Sequence, residues 1–159
     1  LARSAYLEQL YTFGDVKRDP RARVISVAYL HLVRESEKIK LNASDDATDA
    51  DWFDIKNLPE LAFGKSHREI IDYAWQRLKW KFEYTNIALS MLSKSFTLSH
   101  LQKLYEVVYD SPLDKRNFRK KILSLDLLEP MDKFNREAGR PAQLYRSGTE
   151  KLKYYSHIV

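Results

Sequence analysis

Lys115, Arg116, Asn117, Arg119 and Lys120 fall within six consecutive residues, and their side chains are the kinds that bind phosphate and read base edges. Arginine pairs in bidentate fashion with guanine and asparagine with adenine, while lysine neutralises the backbone. Whether the five act together depends on the element that carries them. Ser111 and Pro112 read as a helix start, and Asp114, three residues after the serine, completes a capping-box pattern. Phe118, Ile122 and Leu125 then recur at the spacing of one narrow helical face. At about 100° per residue, Arg116 and Lys120 lie nearly opposite that face, with Arg119 and Asn117 on its shoulders. A solvated face that is merely basic has the same pattern, so the surrounding chain has to separate the two readings.

Charge distribution favours the first. Up to Tyr84 the sequence has 14 Lys and Arg against 14 Asp and Glu; from Thr85 onward it has 13 against 8, so the whole net charge of +5 lies in the later half. A nucleic-acid-binding module joined to a neutral domain produces that asymmetry, because association with DNA draws on clustered positive charge. A membrane-surface helix would need a wider apolar face. With 159 residues, 44% of them hydrophobic and 13% aromatic, the chain can build one core or two small ones. It has no cysteine, which excludes disulfides and thiolate-held metals. The opening residues lack a signal-peptide core and no stretch approaches 18 uninterrupted apolar residues, so a soluble, cytoplasmic protein without a membrane partner is expected.

From the start of the chain, residues 5–13 are rich in strand formers and stop at Gly14. A polar loop follows, and then residues 23–33 read as a longer strand, apolar enough to be buried on both sides. Asp51 to Ile55 reads as a short third strand. From Ser66 to Tyr84 the period becomes helical, with Ile70, Ile71, Ala74, Leu78 and Phe82 as the apolar stripe. Residues 86–96 form a connector, and the domain boundary is placed there, dividing the chain into 1–85 and 86–159. Thr97 caps a helix whose buried side is Leu98, Leu101, Leu104, Tyr105 and Val108, and Tyr109 to Pro112 turns the chain into the basic helix. Beyond it, Leu127-Leu128-Glu129 begins a strand, residues 134–139 form a polar loop, and Ala142 to Arg146 return. Two helices and a tight turn, trailed by a hairpin with Arg136 and Arg140 near its tip, make a winged helix-turn-helix. Such wing arginines lie along phosphates or in a minor groove, although some winged helices bind protein instead.

These phrases resemble a known family. Phe96 to Gln102, Asp114 to Lys121 and Gly139 to Tyr145 are similar to the C-terminal domain of the Nudix-related transcriptional regulators. Glu8 to Gly14, Arg18 to Arg21, Val24 to Tyr29 and Trp52 to Phe63 resemble the second part of a Nudix domain of the ADP-ribose pyrophosphatase type. The resemblance implies an α+β fold: a partial Nudix-like mixed sheet with a C-terminal helix over 1–85, then a winged helix-turn-helix over 86–159. It implies double-stranded DNA as a partner, a homodimer on a palindromic operator, and a small-molecule effector that is ADP-ribose-like or sugar-derived. A Nudix box, with its Mg-binding glutamates, would precede the strand that opens this chain. The chain is therefore expected to be the later part of a longer protein, with no cofactor of its own and Mg only where the parent keeps an intact box. The alternative is a Nudix hydrolase of nucleoside diphosphate compounds with an incidental basic tail.

Other chemistry is thinner. The four histidines, His31, His67, His100 and His157, have no ligand spacing, and His31 reads as a core residue. Asp45, Asp46, Asp49 and Asp51 lack the glycine and terminal glutamate of a calcium loop. Arg18 and Arg21, on the loop between the first two strands, can grip a phosphate or carboxylate and are the effector-binding candidates. An ordinary polar turn would carry the same two residues.

Overall fold

The computed structural model describes residues 6–19, 22–34, 50–59, 65–136 and 141–158. Two antiparallel strands, β1 (Tyr6–Phe13) and β2 (Ser26–Leu32), open the chain and lie beside a 20-residue helix, α1 (Lys65–Tyr84). Tyr6, Glu8 and Leu10 of β1 turn inward, while Leu7, Val27 and Tyr29 remain half exposed or more. The second strand is thus not buried on both sides, as its apolar run suggests; it alternates, and His31 is exposed rather than in the core. A two-stranded sheet packed on one helix has only one covered face. Asp51 to Ile55 is no strand either. Asp51 and Asp54 take the backbone N–H groups of Trp52 and Lys56, at 2.7 and 2.9 Å, and fold the segment into a turn. Such local side-chain acceptors compete with sheet pairing.

The register of β1 on β2 slips between Gln9 and Tyr11, leaving Leu10 without a cross-strand partner. Arg77 of α1 takes the Leu10 carbonyl at 3.4 Å. One turn further along α1, the nearly buried Lys81 donates to Tyr6 Oη and pairs with Glu8, both at 2.9 Å. Burial pulls this ammonium's pKa down, but the tyrosine hydroxyl and the carboxylate outweigh it, and the net direction is up. A charge this deep is retained only when it is paired and hydrogen-bonded.

The intervening positions of α1 face elsewhere. Leu78 and Phe82 join one apolar cluster with α2 (Ile87–Met91), α3 (Leu98–Tyr109) and α4 (Lys115–Ser124). The apolar piece read as connector is therefore a short helix with Ile87, Ala88 and Leu89 buried. Five residues are too few for periodicity to tell a helix from a strand. The cluster draws on residues from both sides of position 85. A three-stranded sheet, β3 (Phe96–Thr97), β5 (Ala142–Ser147) and β4 (Leu128–Asn135) in that order, closes the winged helix. Phe134 and Asn135, expected to begin the loop, are still in β4 and pair with Gln143 and Ala142.

Buried polar groups near residue 85 are matched. Asn86 mimics a peptide group, its amide donating to the Lys151 carbonyl at 3.1 Å and accepting the Lys153 N–H at 2.7 Å. The chain then lies back along α1: the N–H groups of Tyr155 and Ile158 reach the carbonyls of Tyr84 and Glu83, at 2.8 and 2.6 Å. Those are carbonyls that a helix end leaves without intrahelical partners. Ile158 is fully buried. No described helix is long and apolar enough to cross a membrane.

Phe82 is fully buried and meets the Tyr105 ring edge-on at 5.0 Å. Phe82→Ala should cost about 3–5 kcal/mol in urea unfolding and should destabilise the winged helix together with α1. A variant that unfolds at the parental urea midpoint would show that α1 is not part of this core.

Candidate nucleic-acid interface

The basic helix is built as an anchored face and a free face. Phe118 and Ile122 are buried, at 3% and 1% exposure, and the Phe118 ring stands edge-on to Tyr105 at 5.4 Å. Lys115, Arg116, Asn117 and Lys120 are all exposed. Arg119, on the shoulder, is only partly exposed and donates from Nη2 to Ser99 Oγ in the first turn of α3, at 3.2 Å. Leu125, read as the third anchor, lies just past the helix end as its C-cap and is half-buried.

The helix begins later than the sequence suggests. Ser111 and Pro112 belong to the turn, and Asp114 is the N-cap: its carboxylate accepts the Asn117 N–H at 2.8 Å. The cause lies in α3. Glu106 accepts the Leu113 N–H at 3.1 Å, and Gln102 donates to the Leu113 carbonyl at 2.9 Å, so neither group of Leu113 enters a helical ladder. Arg116 and Asn117 consequently occupy the second and third helical positions, in the turn that meets base edges in helix-turn-helix proteins. Gln102 and Glu106 went unnoticed in the sequence. Their only signal is an amide and a carboxylate four apart on the helix before the turn. Thr97 does cap α3 as read, accepting the His100 N–H at 3.1 Å.

At the wing, β4 and β5 pair with a slip between Pro130 and Phe134. The Gln143 amide fills the gap by donating to the Met131 carbonyl. Arg136 is exposed just beyond β4, whereas Arg140 lies outside the described residues. Of the effector candidates, Arg18 is partly exposed and donates to Ser26 Oγ at the start of β2; Arg21 lies outside the described residues. Asp51 is exposed, and Asp45, Asp46 and Asp49 are likewise undescribed. Among the described residues no three His, Asp or Glu side chains come together in a way that could hold a metal.

Residues 88–147 match the model of the NrtR DNA-binding winged helix domain. An ADPR responsive transcriptional repressor, NtrR, of Acinetobacter baylyi is 32% identical over 143 residues, covering 90% of this chain and 56% of that protein. An ADP-ribose pyrophosphatase of Methanocaldococcus jannaschii is 42% identical over 73 residues, covering 45% of this chain and 38% of that enzyme. The chain thus spans about half the length, or less, of these two relatives. The crystal structure of Shewanella oneidensis NrtR superposes with a TM-score of 0.77 at 30% identity, over 98% of this chain and 71% of that one. The same protein complexed with a 27mer DNA superposes with a TM-score of 0.72 at 26% identity, over the same shares.

The turn before α4 should be sensitive to acid. The Leu113 N–H, joined by the Gln102 amide, holds the Glu106 carboxyl below its ordinary value of 4.5. A carboxyl depressed by folding adds stability above its unfolded pKa, and that stability is lost as pH falls through the folded pKa. The melting temperature should therefore fall on acidification from about pH 7 to about pH 3, and fall less steeply in Glu106→Gln. Scanning fluorimetry giving parallel pH profiles for both proteins would contradict this.

Proposed function

Because this chain belongs to the Nudix-related transcriptional regulators of the NrtR type, we propose that it is the operator-reading part of such a regulator, joined to part of its effector-sensing domain. The observation that carries the reading is a helix whose anchors Phe118 and Ile122 are buried while Lys115, Arg116, Asn117 and Lys120 all face outward. A helix whose backbone is already fixed by its core leaves only side-chain freedom to be lost on binding, and so favours recognition over loose attraction. Arg116 and Asn117 read base edges. Lys115, Lys120 and the wing residues Arg136 and Arg140 hold phosphates, and Arg119 does the same from its seat on Ser99.

The parent regulator works as a homodimer in the cytoplasm. Its effector is an ADP-ribose-like or sugar-derived compound, gripped in part by Arg18 and Arg21. Control requires that this compound bind the DNA-competent and DNA-incompetent arrangements unequally. Mg enters only where the parent has a complete Nudix box. The second reading, hydrolysis of an ADP-ribose-type compound, is supported by the likeness to the Methanocaldococcus enzyme. ADP-ribose turnover by the full-length parent in the presence of Mg would favour it.

The test uses a duplex enriched from a randomised pool by the parental chain and measures binding by fluorescence anisotropy. Arg116→Ala or Asn117→Ala should cost about 1–3 kcal/mol on that duplex and relax preference at one base pair. Lys120→Ala should weaken enriched and scrambled duplexes alike and lower the slope of log affinity against log salt by roughly one. Parental binding by all three variants would remove α4 as the reader and leave a protein-binding winged helix.

A further inference from the structure

Between the end of α3 and the Asp114 cap of α4, the turn has three backbone N–H groups, on Asp110, Ser111 and Leu113, since Pro112 has none. All three end on Glu106. Its backbone carbonyl accepts from Asp110, which sits in the left-handed region at φ 54°, and from Ser111 at 3.3 Å. Its carboxylate accepts from Leu113 at 3.1 Å. Gln102, one helical turn earlier and nearly buried, closes the ring: its amide donates to the Glu106 carboxylate and to the Leu113 carbonyl, both at 2.9 Å. Leu113 immediately precedes Asp114, the cap from which α4 starts. Both backbone groups at the base of the recognition helix are thereby tied to two side chains that have no place on its outer face.

We infer that Gln102 and Glu106 are positioning residues for base reading, and that their hold on Leu113 fixes how the first turn of α4 is presented to the groove. The inference rests on the DNA-binding reading above. Hydrogen bonds to base edges weaken steeply with misalignment, so Arg116 and Asn117 depend on the exact direction in which the helix starts. A phosphate contact made by a long, flexible lysine tolerates a small tilt, because it relies on charge more than on angle. Phe118 and Ile122 keep the body of α4 seated when the clasp is cut. Loosening only the helix start should therefore erode discrimination between sequences before it erodes attachment to DNA. Glutamine at position 106 could still accept the Leu113 N–H, which makes Glu106→Gln the conservative variant.

The experiment uses the full chain, the enriched duplex, and a scrambled duplex of the same composition. Glu106→Ala and Gln102→Ala should each lose about tenfold in the ratio of the two affinities. Their affinity for the scrambled duplex should stay within about twofold of the parental value. Glu106→Gln should recover most of the ratio. Independently of DNA, amide hydrogen exchange over residues 113–118 should accelerate in Glu106→Ala while α3 stays protected. Circular dichroism restricts the comparison to variants with parental helix content. If Glu106→Ala melts, Gln102→Ala carries the test, because it leaves the Leu113 N–H paired. An unchanged affinity ratio in a folded alanine variant overturns the inference while leaving DNA reading intact. An equal loss on both duplexes overturns it too, since that is what a merely structural role would produce. A parental chain that enriches no sequence overturns the DNA reading, and the inference with it.

Discussion

Three aromatic rings, one each from α1, α3 and α4, hold the basic helix α4 where it is. Phe82, Tyr105 and Phe118 meet edge to face, with centroids 5.0 and 5.4 Å apart, and none is more than 3% exposed. Such contacts add directional preference to apolar burial, and interiors packed at crystal-like density do not deform smoothly. The seat of α4 is therefore referred through Tyr105 to α1. That helix serves two masters at adjacent positions: Leu78 and Phe82 face the winged helix, while Arg77 and Lys81 reach the opening strands. A change in the sheet that displaced Glu8 or Tyr6 would act on the element that also supports α4. One physical route for coupling between two sites is such a shared part whose position both bias.

What the sequence made legible follows from the range of the interactions involved. Two of the three anchors of α4, Phe118 and Ile122, its free face, and the Thr97 cap of α3 are set by residues within a turn or two, so spacing and type suffice. The start of α4 was misplaced because the competition is decided from outside: Ser111 and Pro112 are good helix starters, yet Gln102 and Glu106 capture Leu113 from the preceding helix. Trp52 and Phe53 carry strong strand propensity, but Asp51 and Asp54 bend the backbone locally. The second strand looked doubly buried because apolar composition records how a residue partitions, not which face of a sheet finds a neighbour. The same limit applied to His31, and to α2, whose five residues fit either period. Of the site itself, the outward basic cluster could be read from the chain, while the clasp behind it could not.

The strap formed by residues 153–158 bears on the order in which this protein can be made. The end of α1 leaves the ribosome well before the N–H groups that complete it, because the Glu83 and Tyr84 carbonyls accept from Ile158 and Tyr155. Until then the apolar cluster that includes Phe82 and Ile87 lacks Ile158, one of its fully buried members. Contacts between segments so distant in sequence pay their loop-closure entropy before any packing rewards it, so they form late. During synthesis the helix that links sheet to winged helix thus waits for residues 153–158, which lie some way down the chain. That interval is when a chaperone, or a second nascent chain on the same message, would meet it.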